Sequence, residues 1–133
     1  MNATRRITAA ALAAGAAFAL QPALAQMTGL QRTDLLKHDL GIAGRETIQT
    51  RVDFAPGTLA PAHSHPGEEV AHVLEGTLEY QIDGGAPITL RAGQSLFIPA
   101  GANHSARNVG DSKASELATY IVDKGKPLVV PAP

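Results

Sequence analysis

The chain has 133 residues, of which 44% are hydrophobic and 17% are charged, and its formal net charge is −1 at pH 7. A chain of this length forms one small core, not two domains, and so slight a negative charge argues against a nucleic acid as a partner. The absence of cysteine excludes both a disulfide framework and thiolate ligands for a metal ion.

The first 25 residues have the composition of a signal peptide. Arg5 and Arg6 provide a positive start, Ile7 to Leu20 is apolar, and residues 23–25 match the small-residue cleavage pattern A-x-A. The apolar run is about fourteen residues long, whereas a membrane-spanning helix needs about twenty. We therefore predict cleavage after residue 25 and a periplasmic or secreted protein that is not attached to a membrane. The arginine pair also resembles a twin-arginine signal, so both the Sec and the Tat export routes stay open.

Residues 26–44 are predicted to form an N-terminal arm. Leucines at positions 30, 35, 36 and 40 recur at roughly helical intervals, and glycines at 29, 41 and 44 interrupt them. We expect a short helix or an irregular segment here, with His38 exposed to solvent.

From residue 45 onwards, turn residues divide the chain into short β-prone runs. The predicted strands are Glu46–Phe54, His63–His65, Val70–Leu74, Leu78–Ile82, Ile88–Leu90, Ser95–Ile98, His104–Asn108 and Ser115–Val122. Asp83-Gly84 predicts a type I′ hairpin turn, because both residues tolerate a positive φ. The proline-rich tail, residues 124–133, is compatible only with an edge strand or an extended arm. Residues 45–133 are thus predicted to form one all-β barrel or sandwich.

Two segments carry the residues that determine the chemistry. Residues 57–76 read G-x5-H-x-H-x3-E-x6-G, and residues 93–108 read G-x5-P-x-G-x2-H-x3-N. His63 and His65 are two apart, so on a strand their side chains leave the same face. Glu69 follows a Pro-Gly turn and can fold back toward that face. His104 comes from a separate strand, as a barrel requires if ligands converge from opposite walls.

Both segments match the two signature motifs of the cupin superfamily. The matching positions are Gly57, His63, His65, Glu69, Gly76, Gly93, Pro99, Gly101, His104 and Asn108. The sequence therefore resembles a small single-domain bacterial cupin of the cupin type-2, quercetin-dioxygenase-like kind. The resemblance covers about residues 46–122 and implies a double-stranded β-helix, the jelly-roll barrel.

The resemblance also implies one divalent transition-metal ion as the cofactor, with the ligands His63, His65, Glu69 and His104. Three imidazoles and one carboxylate, with no sulfur ligand, are compatible with iron, manganese, nickel, copper, cobalt and zinc alike. Nearby polar residues are expected to lie elsewhere: Glu68 faces away from Glu69, and His72 points to the opposite face of the same strand. The side chains around the ion are expected to be mostly apolar. They are Val73, Leu78, Tyr80, Phe97 and Ile98.

Two classes of function fit this ligand set, since neither fold nor ligands select a reaction. One is an exported dioxygenase that acts on a small aromatic or enolic substrate, with Glu69 as its general base. The other is a non-catalytic module that binds or senses a small molecule through the metal ion. An enzyme requires an open coordination position in a pocket connected to solvent, whereas a binding module has a closed coordination shell or a plugged barrel mouth.

We also expect a homodimer. An apolar N-terminal arm and a candidate exposed edge at Ser115–Val122 would both be covered by pairing with a second copy, and cyclic dimers are the commonest assembly.

Overall fold

The computed structural model describes residues 27–133, and within this range the chain forms ten β-strands and no helix. The predicted signal peptide, residues 1–25, lies outside the described residues, so its cleavage and the export of the protein stay predictions. Between residues 27 and 133 there is no helix long and apolar enough to span a membrane.

The strands form two antiparallel sheets of five strands each. The strands are β1 Leu30–Asp39, β2 Arg45–Phe54, β3 Leu59–Ser64, β4 Gly67–Glu75, β5 Thr77–Ile82, β6 Ile88–Arg91, β7 Ser95–Ile98, β8 His104–Asn108, β9 Ala114–Asp123 and β10 Val130–Pro131. Sheet I has the order β1-β2-β9-β4-β7, and sheet II has the order β10-β3-β8-β5-β6. This architecture confirms the predicted jelly-roll, the double-stranded β-helix.

The core lies between the inner faces of the two sheets. In β2, the alternating residues Thr50, Val52 and Phe54 are buried, while the residues between them are partly exposed. The same alternation in β4, β5 and β9 buries the side chains that face them. Each large apolar side chain buried in this way stabilises the fold by roughly 1.5–3 kcal/mol.

Two motif residues serve the shape of the barrel. Gly76 has φ 75°, and a Cβ there would lie 2.7 Å from the Cα of Ala114, so the tight turn between β4 and β5 requires glycine. The buried side-chain amide of Asn108 donates hydrogen bonds to the carbonyl oxygens of Phe54 and Ser112. It therefore joins the end of β8 to the end of β2 and to the loop that precedes β9.

The strand prediction is confirmed for most of the barrel, and β7 and β8 have the predicted bounds. The predicted hairpin turn is present, because Asp83 and Gly84 have φ of 47° and 69° and connect β5 to β6. The tail supplies an edge strand, since Val130 and Pro131 of β10 pair with Ser64 and His63.

The arm prediction is wrong in its local structure. Leu30–Asp39 is neither helical nor irregular but the strand β1, which pairs with β2 from Leu30 opposite Phe54 to Asp39 opposite Glu46. A bulge between Asp34 and Leu36 shifts the alternation within β1. Because of this shift, the leucines of the extended segment do not recur at every second residue, and their spacing resembles that of a helix. His38 is exposed, as predicted.

The edge assignment of Ser115–Val122 is also wrong. This segment lies within β9, which pairs with β2 on one side and with β4 on the other, so it is the central strand of sheet I. Its long run of buried residues is what a central strand requires. The sheet edges available in the described chain are β1 and β7 in sheet I and β10 and β6 in sheet II.

Phe97 is not part of the core, contrary to the prediction. Its side chain is 59% exposed, whereas that of Ile98 is 1% exposed. Because successive residues of a strand point to opposite faces, these two neighbours cannot both face the barrel interior. The other predicted interior residues, Val73, Leu78 and Tyr80, are buried.

Candidate metal centre

Sheet II brings the three motif histidines together. His63 of β3 and His104 of β8 are register partners on adjacent antiparallel strands, and their ring centroids lie 4.4 Å apart. His65 follows the last residue of β3, and its ring lies 4.9 Å from that of His63 and 5.0 Å from that of His104. One ligand atom from each ring lies within 4.8 Å of the others, so the cluster could hold a metal ion.

Backbone carbonyl groups fix the orientation of all three rings. The Nδ1 atoms of His63, His65 and His104 contact the carbonyl oxygens of Pro61, Leu128 and Ala102, at 2.7, 2.6 and 3.0 Å. A carbonyl oxygen only accepts a hydrogen bond, so each Nδ1 carries a proton and donates it. The Nε2 atom of a neutral ring then keeps its lone pair, as a metal-ligating histidine requires.

Glu69 approaches the histidines from sheet I. It lies on the inward face of β4 and is buried, with 3% of its surface exposed. Its Oε2 atom lies 3.0 Å from Nε2 of His65 and 3.2 Å from Nε2 of His104. The strand itself, not a fold-back after the Pro-Gly turn, carries this carboxylate to the site.

Contrary to the prediction from sequence, the histidines do not converge from opposite walls of the barrel. His63 and His104 stand on the same wall, because β3 and β8 are neighbours in sheet II. Glu69, on sheet I, is the residue that faces them. The sequence spacing shows that two segments contribute to the site, but only the strand order shows which of their side chains share a sheet.

Two buried atoms at the centre of this cluster have no hydrogen-bond partner. They are Nε2 of His65 and Oε2 of Glu69, which lie close together without hydrogen-bond geometry. An unsatisfied buried polar group costs about 1–3 kcal/mol. A cation between them would satisfy both atoms, and neutral imidazoles with a carboxylate are suitable ligands for a divalent first-row ion. The residues present therefore fit such an ion.

The surroundings favour the metal-binding protonation states of His63 and Glu69. Burial lowers the pKa of His63 to about 4, which keeps this ring neutral. Burial would raise the pKa of Glu69, but the adjacent His104 and His65 lower it overall, so the carboxylate is ionised. For His104, burial lowers the pKa while Glu69 raises it, and the net direction is upward. A proton on His104 would thus compete with a cation for Nε2.

The inner face of β9 adds two polar residues that the sequence analysis did not identify, Glu116 and Tyr120. Both are buried, and the hydroxyl group of Tyr80 donates a hydrogen bond to Oε2 of Glu116. Burial, together with the negative charge of Glu69, raises the pKa of Glu116 to about 7. The signal was available in the sequence, because Glu116 stands at an inward position between Ala114 and Ala118 on an alternating strand.

Arg32 of β1 also reaches this interior, in a segment where only an irregular arm or a helix was predicted. Its Nη2 atom donates a hydrogen bond to the hydroxyl group of Tyr120 at 3.1 Å. The ring of Tyr120 in turn packs against that of His65, with 4.6 Å between centroids. A chain of contacts therefore connects the sheet edge to the histidine cluster.

Two cavities adjoin the cluster. An inner cavity of about 20 Å³ is bordered by His63, Glu69, His104 and Glu116 among others, and a space of this size holds about one water molecule. A cleft of about 360 Å³ lies outside it, between β1 and the edge formed by β3 and the tail. Four residues line both spaces: Leu30, Arg32, Ala60 and His63.

Residues assigned to the outer surface are found there. Glu68 faces outward, where Nη2 of Arg45 lies 2.6 Å from its Oε2 atom. His72 is on the outward face of β4, and its Nδ1 atom lies 2.8 Å from the hydroxyl oxygen of Ser95. Neither joins the histidine cluster, in agreement with the prediction.

Comparison with known proteins identifies relatives of this chain. Residues 50–122, more than half of the chain, match the family model described as "Cupin domain". Germin-like protein subfamily 2 member 2 of Arabidopsis thaliana is 40% identical over 87 residues, which cover 59% of this chain and 40% of that protein. Oxalate oxidase GF-2.8 of Triticum aestivum is 38% identical over 78 residues, which cover 53% of this chain and 35% of that protein. The matches thus span less than half the length of these relatives.

Solved structures show the same architecture. A structure of an oxalate oxidase superposes with a TM-score of 0.65 and 29% identity, covering 81% of this chain and 57% of that one. A protein with a double-stranded β-helix domain from Klebsiella pneumoniae superposes with a TM-score of 0.66 and 19% identity, covering 80% and 88%. At that identity, the second likeness shows the fold alone.

Proposed function

This chain belongs to the cupin family, and we propose that it is a metal-dependent enzyme that oxidises a small aromatic or enolic substrate with dioxygen. One observation carries the proposal: three imidazole rings are held by their Nδ1 atoms so that their ligand atoms converge, and Glu69 lies beside Nε2 of His65 and of His104. His63 also lines a cleft large enough for a small molecule, so the cluster has a route for a substrate. The relatives named as oxalate oxidases add support for oxidative chemistry.

In this proposal, His63, His65, Glu69 and His104 hold one divalent transition-metal ion. Such an ion supplies Lewis acidity toward a substrate oxygen and, if it is redox-active, exchange of electrons with dioxygen. The apolar side chains of the core keep bulk water away from the cluster, which strengthens electrostatic interactions there.

Two carboxylates give the site its proton chemistry. Glu69 is ionised, since its pKa is lowered by the imidazoles despite its burial, and it can accept a proton from a substrate hydroxyl group. Glu116 has a pKa near 7, because burial and the charge of Glu69 disfavour its ionised form. It can therefore take up or release a proton at neutral pH, with Tyr80 as its hydrogen-bond partner.

The test is dioxygen uptake by iron-, manganese-, nickel- and copper-loaded protein against a panel of catechols and flavonols. At least one loaded form is expected to consume dioxygen. A Glu69→Gln variant should lower turnover at least a hundredfold, the size of a typical general-base contribution. Glu68→Gln is the matched control, since Glu68 faces outward beside Arg45, and it should stay within twofold of the unaltered protein.

A non-catalytic binding module is the second candidate, and the small inner cavity favours it. A volume of about 20 Å³ leaves no room for a substrate beside the histidines unless neighbouring side chains move. If all four loaded forms fail to take up dioxygen across the panel while they still bind small ligands tightly, the binding module replaces the enzyme.

We also propose that the protein is exported. The support is the composition of residues 1–25, with an arginine pair, an apolar run and an A-x-A site. Protein isolated from the native periplasm should have the intact mass of a chain that begins at Gln26. Recovery of the chain with residues 1–25 still attached, in the membrane fraction, would contradict export with cleavage.

A further inference from the structure

The cleft beside the histidine cluster has the properties of a small-molecule site. It lies between β1 of sheet I and the edge formed by β3 and the C-terminal tail of sheet II. Most of its lining is apolar, and the apolar residues are Met27, Leu30, Ala60, Pro61, Ala62, Val129 and Pro131. Its volume of about 360 Å³ is within the usual range for ligand pockets, roughly 300–1,000 Å³.

Arg32 is the permanently charged side chain among the described residues that line this cleft. No carboxylate between residues 27 and 133 lies within ion-pair distance of it, whereas Arg45 contacts Glu68 and Asp123 at 2.6 and 3.1 Å. The side-chain hydrogen bond that Arg32 does form goes to a neutral group, the Tyr120 hydroxyl. A guanidinium group has five N–H donors, so most of its donor capacity remains for an acceptor in the cleft.

The position of Arg32 relates the cleft to the histidine cluster. Arg32 and His63 both line the cleft and the inner cavity, so they stand at the boundary between the two spaces. A molecule in the cleft would meet the guanidinium group and the His63 ring together. Because a carboxylate can accept two parallel hydrogen bonds from a guanidinium group, it is a stronger partner for Arg32 than the phenolic hydroxyl of Tyr120.

We infer that this cleft binds the substrate and that Arg32 selects a small organic acid, whose carboxylate pairs with the guanidinium group while its apolar body occupies the cleft. This inference rests on the proposed function, because it names the substrate class of the same site. Arg32 binds and orients the substrate, and the histidine cluster lies at the inner end of the cleft.

The test compares an acid with its neutral isostere. Binding of benzoate and of benzamide to the zinc-loaded protein is measured by isothermal titration calorimetry, without dioxygen chemistry. Benzoate is expected to bind at least tenfold more tightly than benzamide. Arg32→Gln should weaken benzoate binding at least tenfold and leave benzamide binding within threefold.

The control variant is Arg107→Gln, which removes the same charge from an exposed position on β8 outside the cleft lining. It should leave the affinities for both ligands unchanged. If Arg32→Gln does not fold, Arg32→Lys replaces it, and benzoate binding should weaken at least threefold because lysine lacks the planar fork.

Equal affinities for benzoate and benzamide in the unaltered protein would overturn the inference. So would a benzoate preference that survives in Arg32→Gln, because the carboxylate would then be held by the zinc ion. Neither result depends on dioxygen uptake. Absence of dioxygen uptake together with Arg32-dependent selectivity would overturn the proposed reaction and leave the cleft as a binding site for small organic acids.

Discussion

At the scale of single residues, the backbone determines what the histidines can do. Each Nδ1 atom contacts a carbonyl oxygen, and the three rings together leave ligand atoms close to one another, with the Glu69 carboxylate beside Nε2 of His65 and of His104. Two atoms at the centre of the cluster, Nε2 of His65 and Oε2 of Glu69, have no hydrogen-bond partner. The three histidines could therefore hold a cation at the centre of the cluster.

Replacing one histidine of the cluster should weaken metal binding strongly. His104→Ala is expected to lower the affinity for a divalent transition metal at least a hundredfold, because it removes one ligand and the partner of Glu69. His72→Ala is the control, since that ring lies on the outer face of β4, and it should keep full metal content. Metal bound per chain, measured by elemental analysis after dialysis, distinguishes the two. If His104→Ala still binds one metal ion per chain, His104 is not a metal ligand.

Glu116 should make the stability of the metal-free protein depend on pH. Its pKa is raised to about 7 in the fold by burial, against an ordinary value of 4.5, so the folded state favours the neutral acid. The stabilisation is therefore fully present below about pH 4.5 and is lost as pH rises through about 7. A shift of this size is worth roughly 3 kcal/mol.

The check is urea unfolding of the unaltered protein and of Glu116→Gln, in which the side chain is always neutral. Between pH 5 and pH 8, the unaltered protein should lose stability relative to the variant. Parallel stability curves for the two proteins would show that Glu116 does not titrate in this way.

The residues of the candidate metal centre could be identified from sequence because they occupy fixed positions in two local motifs. Arg32 and Tyr120 could not be found in that way, because they occupy no motif position and come near the histidines only where sheet I packs against sheet II. Glu116 also lies outside the motifs, and only the alternation along β9 indicates that it faces inward. Phe97 faces outward because β7 alternates and its neighbour Ile98 faces inward. Residue type alone favoured both Phe97 and Ile98 for the core, and only one of two neighbours can face inward.

At the scale of elements, the C-terminal tail supports the site. The carbonyl oxygen of Leu128 accepts the hydrogen bond from Nδ1 of His65, and β10 pairs with Ser64 and His63 of β3. The tail thus fixes both the ring orientation of one histidine and the strand that carries another. The proline content of this segment predicts an edge strand. It does not predict that the strand pairs with β3, which only the strand order of sheet II shows.

Removal of residues 127–133 should weaken metal binding about tenfold or more, because loss of an orienting partner costs about 10–100-fold in affinity. The melting temperature should fall as well, since β10 pairs with β3. A variant that lacks only Pro133 keeps both contacts and is the control. Equal metal affinities of the two truncated proteins would show that the tail does not orient His65.

β1 shows where local patterns fail. A bulge between Asp34 and Leu36 interrupts its alternation, and its leucines follow no regular period of two. The strand exists because it pairs with β2, which follows after residues 40–44, so the two strands form a hairpin that the leucine spacing does not indicate. The β5–β6 hairpin, by contrast, contains an Asp-Gly turn, which predicted it directly.

At the scale of the whole molecule, we propose a homodimer. Ser115–Val122 does not supply its edge, because this segment lies in the central strand of sheet I, but β1 does. The outermost strand β1 is exposed over most of its length, with Leu35 and Leu36 54% and 45% exposed. A long exposed edge strand with apolar side chains favours pairing with a second copy. Light scattering at micromolar concentration should give twice the mass of one chain, and Leu36→Lys should shift the protein toward the monomer. The mass of a single chain for the unaltered protein would rule the dimer out.

The measurement that tests the metal centre most directly is anomalous X-ray scattering from crystals of protein purified from its native source. Data are collected on both sides of the absorption edge of the metal that elemental analysis finds. The account predicts one anomalous peak per chain, at roughly 2.0–2.2 Å from Nε2 of His63, His65 and His104 and from a carboxylate oxygen of Glu69. An anomalous map without a peak between these side chains, or with its metal peak elsewhere on the chain, would contradict the account.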